Sequence, residues 1–144
     1  MLEKLGELFI LIKRFEGCKL MPYICPAGVW TCGWGSTGYN VIPGQKWTQE
    51  YADKRLEDDA IKFAIKTLSL CPVLVNESDK KLSAISDFTY NLGSGRLKAS
   101  TLRKKINSRE WESAARELRK WVYGGGRKLP GLILRREAEI KLLS

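Results

Sequence analysis

The amino-acid sequence predicts an α+β fold: a small antiparallel sheet inserted after a first helix, then a mostly helical remainder. Three observations lead there. Apolar residues recur at helical spacing over residues 2–15. Between Lys19 and Val41 the turn formers Pro22, Pro26, Gly28, Gly33, Gly35 and Gly38 punctuate short segments rich in Val, Trp, Thr and Tyr. Beyond residue 49 the helical period returns and persists to the end of the chain.

Each element has its own signal. Leu2, Leu5, Leu8, Phe9, Ile12 and Phe15 form the inner stripe of the first helix, which closes at Glu16–Gly17 with Gly as C-cap. Pro43–Gly44 marks a turn, and Thr48 caps a long helix over 49–69 with Leu56, Ala60, Phe63, Ala64 and Leu68 inward. Cys71–Pro72 ends it. Ser78–Asp79 opens a helix that carries Leu82, Ala84, Ile85 and Phe88 inward and stops at Gly93. Ser100 and Ser108 read as caps of two more helices, the second with Trp111, Ala115, Leu118 and Val122 at core spacing. Gly124–Gly126 is a turn, and Leu132–Leu143 the last helix. One domain over 1–144 is expected, in two lobes. A β-rich lobe spans about 16–48. A helical lobe spans about 70–144 and includes helix 1–15, with 49–69 as the linking helix.

Composition narrows the chemistry. The net charge is +9, and its placement is uneven. Residues 1–95 hold 11 basic and 11 acidic side chains, whereas residues 96–144 hold 14 and 5, so the whole excess sits in the C-terminal third. Such asymmetry suits an anionic polymer. The chain has no histidine, which removes Ser–His and Cys–His nucleophilic pairs and HExxH sites. Cys18, Cys25, Cys32 and Cys71 lack zinc-ligand spacing, so no metal or cofactor is expected. The run Leu8–Ile12 is too short to span a bilayer, and no cleavage site follows it. A soluble monomer made in the cytoplasm is expected, with Cys18 and Cys32 buried as small apolar groups.

The stretch Glu16–Gly38, EGCKLMPYICPAGVWTCGWGSTG, carries one carboxylate at the junction of helix and sheet. A carboxylic acid partly buried at such a junction is a candidate proton donor. Eight residues separate Glu16 from Cys25, and five more separate Cys25 from Thr31.

This spacing, E-x8-[D or C]-x5-T, resembles the catalytic signature of the phage-type lysozymes, the muramidase endolysins of glycoside hydrolase family 24. ISDFTYNLGSG, STLRKKIN and WVYGGGRKLPGLILRREAE resemble three further blocks of that family, so the likeness runs from about residue 8 to the end. It implies a lysozyme-like fold and hydrolysis of the β-1,4 bond between N-acetylmuramic acid and N-acetylglucosamine in peptidoglycan. Residue by residue, it implies Glu16 as general acid and Thr31 holding the attacking water. Cys25 stands where most relatives have Asp. A free thiol with an ordinary pKa near 8.5 is mostly neutral at pH 7, and no cation lies beside Cys25 in sequence. It is therefore expected to position water and shape the site. Gly33 and Gly35 are expected to let backbone approach the sugar, and Tyr23, Trp30 and Trp34 to wall the cleft. Ser36 replaces the family's usual His, a change expected to tune stability. Arg135 or Arg136 is expected to pair with Glu16.

The likeness also implies residence in the host cytoplasm until a holin-type pore releases the protein to the periplasm and cell wall, without stable membrane insertion. Two other readings compete: a lytic transglycosylase on the same fold, and a non-enzymatic basic nucleic-acid-binding module supported by charge alone.

Overall fold

The computed structural model describes residues 1–144. A short 3-10 turn precedes α1 (Gly6–Glu16). Three strands follow, β1 (Lys19–Ile24), β2 (Trp30–Gly33) and β3 (Ser36–Thr37), paired antiparallel in the order β1-β2-β3. Then come α2 (Gln49–Leu70), a 3-10 turn at Pro72–Asn76, α3 (Asp79–Leu92), α4 (Ser94–Lys98), α5 (Thr101–Asn107) and α6 (Trp111–Leu118). A hairpin of β4 (Tyr123–Gly124) and β5 (Arg127–Lys128) leads into α7 (Pro130–Lys141). The architecture is α+β.

Side-chain caps explain three of the seven α-helix starts. Thr48, Ser78 and Ser100 each accept a hydrogen bond from the backbone N–H three residues on, satisfying a donor that the first turn leaves free. Ser108 does not cap α6; it closes α5 instead. Arg109 takes the left-handed conformation (φ 55°), and Glu110 N–H returns to the Lys105 carbonyl at 2.9 Å. That is a Schellman-type ending, so the chain at Ser108 is still leaving one helix when sequence expects it to enter the next. Val122 is buried but lies past the end of α6, and α4 is too short to register as a periodic pattern.

Packing divides unevenly. Eighteen buried residues, among them Leu8, Ile12, Leu56, Ile85, Phe88, Leu102 and Leu118, form one core where α1, α2 and α3 meet the C-terminal helices. Only Cys32, Trp47 and Ala52 form the second, under the sheet, and Trp34 packs against both. Of the expected inner stripe of α2, Leu56, Ala60 and Ala64 are buried, while Phe63 and Leu68 are half-buried.

So small an apolar core leaves the sheet's position to polar ties. Ser36 Oγ donates to Asp59 Oδ2 at 2.7 Å, Arg55 Nε to Asp59 Oδ1 at 3.2 Å, and Arg55 also reaches the carbonyls of Thr37 and Tyr39. Tyr90 Oη donates to the Trp34 carbonyl at 2.7 Å, joining α3 to the β2–β3 turn. Ser36 thus keeps a hydrogen bond to α2 without contributing a charge.

Removing the Thr48 hydroxyl should leave Tyr51 N–H without its cap. Thr48→Ala is expected to lose about 1 kcal/mol in a urea titration, with an unchanged slope.

Candidate active site

Glu16 is the last residue of α1, and Gly17 ends the helix with φ 66°. The C-terminal end of a helix is a poor place for an anion, so the carboxylate needs a partner. Arg135, in α7, donates Nη1 to Glu16 Oε2 at 2.7 Å. The Glu16 side chain keeps 21% of its surface and Arg135 only 4%, so the carboxylate faces solvent from a charged, buried backing.

Gly35 fixes the other side. Its φ is +86°, and a Cβ placed there would lie 2.6 Å from Glu16 Oε1. Only glycine fits both the backbone and the carboxylate. Gly33 differs. It is left-handed too, but its missing Cβ would meet the Trp47 ring at 2.9 Å and Ala52 at 3.3 Å. The missing side chain of Gly33 thus makes room for internal packing under the sheet. Trp34 is likewise engaged inside: Nε1 donates to Asp53 at 2.8 Å, and Lys13 Nζ sits 5.4 Å from the ring centroid. Trp30 is exposed at the start of β2.

Cys25 and Thr31 come together on the β1–β2 hairpin. Cys25 follows β1, and its turn is closed by Cys25 N–H to Val29 O at 2.9 Å and Gly28 N–H to Cys25 O at 2.8 Å. Thr31 pairs with Tyr23 across the ladder, is buried, and donates Oγ1–H to Val29 O at 2.9 Å. Tyr23 lies within electrostatic reach of both Glu16 and Cys25; burial first, then those two groups and Cys32, push its phenol up.

The Cys25 thiol departs from the sequence expectation. Burial would raise its pKa, but hydrogen bonding around the sulfur, chiefly from the Val29 and Ala27 backbone, outweighs it and lowers the value below that of an ordinary thiol. Thr31 also lies close, but its one proton is spent on Val29 O. The stabilising donors are backbone amides, which no cation in sequence could have announced. Cys32 and Cys71 are inert by comparison. Burial raises Cys32 and pushes Cys71 up to about 11. All four are free, and Cys18 is half-exposed beside Gln49 rather than buried.

Arg136 does not reach Glu16. It turns into the core, where Nη2 donates to Asn91 Oδ1 at 2.8 Å and to Glu139 Oε2 at 2.9 Å. Its Nε also lies 2.7 Å from Glu139 Oε1, but that contact is poorly directed and is not a hydrogen bond. Sequence reasoning missed Asp87 and Glu139, both fully buried. Asp87 accepts Arg135 Nε at 2.9 Å and Nη2 at 2.8 Å. No local pattern marks either one: Asp87 shares its face of α3 with Ser83, Tyr90 and Asn91.

Three carboxyls thus share two arginines. Burial raises Asp87, but Arg135 outweighs it and holds it below the usual carboxylate range. Burial and then Asp87 push Glu139 far up. Burial and the neighbouring Asp87 thus favour the neutral form of Glu139, while Arg135 favours the ionised form of Asp87.

The phage lysozyme family model matches residues 13–139. An endolysin of Acyrthosiphon pisum secondary endosymbiont phage 1 is 39% identical over 136 residues, 90% of each chain. A SAR-endolysin of Bacteriophage PS119 is 36% identical over 124 residues, 86% of this chain and 73% of its own. The crystal structure of the active form of P1 phage endolysin Lyz superposes with TM-score 0.81 at 30% identity, covering 96% of this chain and 83% of that one.

Two glycine substitutions should separate packing from chemistry. Gly35→Ala displaces the Glu16 carboxylate and should lower wall clearing per folded molecule by about tenfold or more. Gly33→Ala should cost about 2 kcal/mol in urea unfolding and leave clearing per folded molecule nearly unchanged. Stability should also follow Glu139. A carboxyl whose folded pKa is raised stabilises fully below its unfolded value, near 4.3, and loses that contribution as pH rises toward the folded value, at up to about 1.4 kcal/mol per unit. Glu139→Gln should flatten that decline in thermal melts taken across pH.

Proposed function

The chain belongs to the phage lysozyme family and is a hydrolytic, muramidase-type endolysin acting on the peptidoglycan of the cell wall; on that premise we propose that Glu16, Thr31 and Cys25 cleave the β-1,4 bond between N-acetylmuramic acid and N-acetylglucosamine. The observation that carries the mechanism is the half-exposed Glu16 carboxyl, gripped by Arg135 at 2.7 Å and backed by Gly35, with the Cys25–Thr31 pair across Tyr23.

Glu16 donates a proton to the glycosidic oxygen as the bond breaks through an oxocarbenium-like state. Thr31 accepts from the attacking water, because its own proton is committed to Val29 O and its lone pairs are free. Cys25 flanks that water and helps to place it. The fraction of Cys25 in the thiolate form, enlarged by its amide donors, takes the water's proton. Water placed by Thr31 and Cys25 attacks the anomeric carbon directly, so we favour inversion there. Tyr23 borders the sugar on the sheet side. The two lobes are proposed to frame the cleft within one domain, a reading supported by the separate cores.

The basic excess of residues 96–144 suits an anionic wall polymer. One recess of about 400 Å³, lined by Lys98, Ser100, Arg103, Lys104 and Asn107, carries no carboxylate and is not the reactive centre. No helix is long and apolar enough to cross a membrane. The proposed route is from host cytoplasm to wall through a holin-type pore, which co-expression with and without a holin tests by lysis timing. A monomer is proposed.

Turbidity clearing of peptidoglycan tests the mechanism. Glu16→Gln should lower it by at least about a hundredfold, and Cys25→Asp should retain or raise it. Products should carry reducing ends; 1,6-anhydro ends would assign a transglycosylase instead. A glycosyl adduct on Cys25 in intact-mass spectra would overturn direct attack by water.

A further inference from the structure

Behind Glu16 stands a charge arrangement that the proposed reaction does not touch. Asp87 lies fully buried in the middle of α3. Both of its oxygens are taken by one edge of the Arg135 guanidinium, Nε at 2.9 Å and Nη2 at 2.8 Å. The remaining nitrogen, Nη1, points to Glu16 at 2.7 Å. The arginine is therefore shared between an anion that never meets substrate and one that does.

We propose that Asp87 is a positioning residue for the reaction: its two-point grip fixes the Arg135 guanidinium, and its charge offsets Arg135, so that Arg135 orients the Glu16 carboxyl without holding it ionised. The inference rests on Glu16 being the general acid.

The reason is electrostatic. A general acid must carry its proton when substrate arrives. An arginine at 2.7 Å with no other partner would favour the carboxylate strongly. Paired with Asp87, the guanidinium presents Glu16 with a hydrogen-bond donor that belongs to a nearly neutral pair. The other groups around Glu16 do not disturb this balance. Tyr23 from β1 and Tyr90 from α3 have phenols raised by burial and stay neutral. On its own helix, Lys13 is drawn over the Trp34 ring and Arg14 over Phe15. Asp87 faces Arg135, Arg136 and Glu139, all from α7; Arg136 is held by Glu139 and Asn91, which leaves both Asp87 oxygens to Arg135. Geometry and charge thus agree: the carboxylate that neutralises Arg135 is Asp87.

The test reads the alkaline limb of the pH–clearing profile. Asp87→Asn keeps the side-chain shape, removes the charge and leaves Arg135 facing Glu16 alone. Its alkaline limb should move down by about one pH unit, a tenfold change in acid dissociation, with clearing retained below the limb. Arg135→Gln should move the limb up. A purely structural role predicts instead a uniform loss with an unmoved limb for Asp87→Asn, and that result overturns the proposal. Should Asp87→Asn fail to fold, the Asp87→Asn/Arg135→Gln double variant, which buries no unpaired charge, takes its place. Its limb should fall below that of Arg135→Gln by about half a unit or more, and coincident limbs overturn the proposal. Retained clearing in Glu16→Gln would overturn the general-acid reading itself. Lost clearing there, with an unmoved limb in Asp87→Asn, overturns the role of Asp87 alone.

Discussion

Arg135 is the interaction on which the site depends. Taking a guanidinium out of water is costly, and the cost is met only when each donor finds an anion in good geometry. Here Nε and Nη2 bind Asp87 and Nη1 binds Glu16. The three residues come from α7, α3 and α1, so the pairing ties together the middle of one helix, the end of another and the helix that closes the chain. Breaking such a buried pair on one side costs about 3–5 kcal/mol, because the surviving charge has nowhere to go. A replacement of all members by apolar groups could be neutral for stability. The charges are therefore better explained by what they do at Glu16 than by what they add to folding.

The sheet side obeys a different constraint. Three buried residues give little apolar free energy, so the position of β2 and β3 relies on Arg55, Asp59, Ser36 and the Tyr90–Trp34 hydrogen bond. Such polar ties contribute about 1 kcal/mol each. They set direction more than strength, and they leave the sheet near the low end of local stability while the eighteen-residue core is at the high end. Trp34 joins the two. Its ring packs on both cores, its indole N–H is fixed by Asp53, and its carbonyl by Tyr90. A residue so engaged holds the β2–β3 turn, and with it Gly35, against Glu16.

These facts explain what the sequence could disclose. Caps at Thr48, Ser78 and Ser100 were legible because capping is local chemistry. Ser108 was misread because a left-handed Arg109 ended α5 where glycine usually would. Arg135 and Arg136 are neighbours about 100° apart on one helix, so their partners differ, and only the packing of α7 decides which faces Glu16. Gly33 and Gly35 share a motif and a left-handed backbone, yet one opens onto Trp47 and the other onto the carboxylate. Spacing fixes the type of residue, and tertiary contact fixes its use. Asp87 and Glu139 were overlooked for the same reason: a buried carboxyl has no local signature.

Cys25 brings the two sides together. Glu16 is steadied by a guanidinium donor delivered from another helix, with Asp87 on its other edge. Cys25 is steadied by its own hairpin, through backbone amides that come with the turn and need no distant partner. A carboxylate in that place would be ionised throughout the working range but would be a weak base, since its pKa lies far below neutrality. A thiol whose pKa is lowered from the usual value is ionised in fewer molecules, each a stronger base. The two effects oppose one another, and the shift toward neutrality narrows the gap between them. Under the proposed mechanism the hairpin therefore compensates for the exchange of carboxylate for thiol, and Thr31, whose orientation is fixed by Val29 O, places the water independently of which acid stands at position 25.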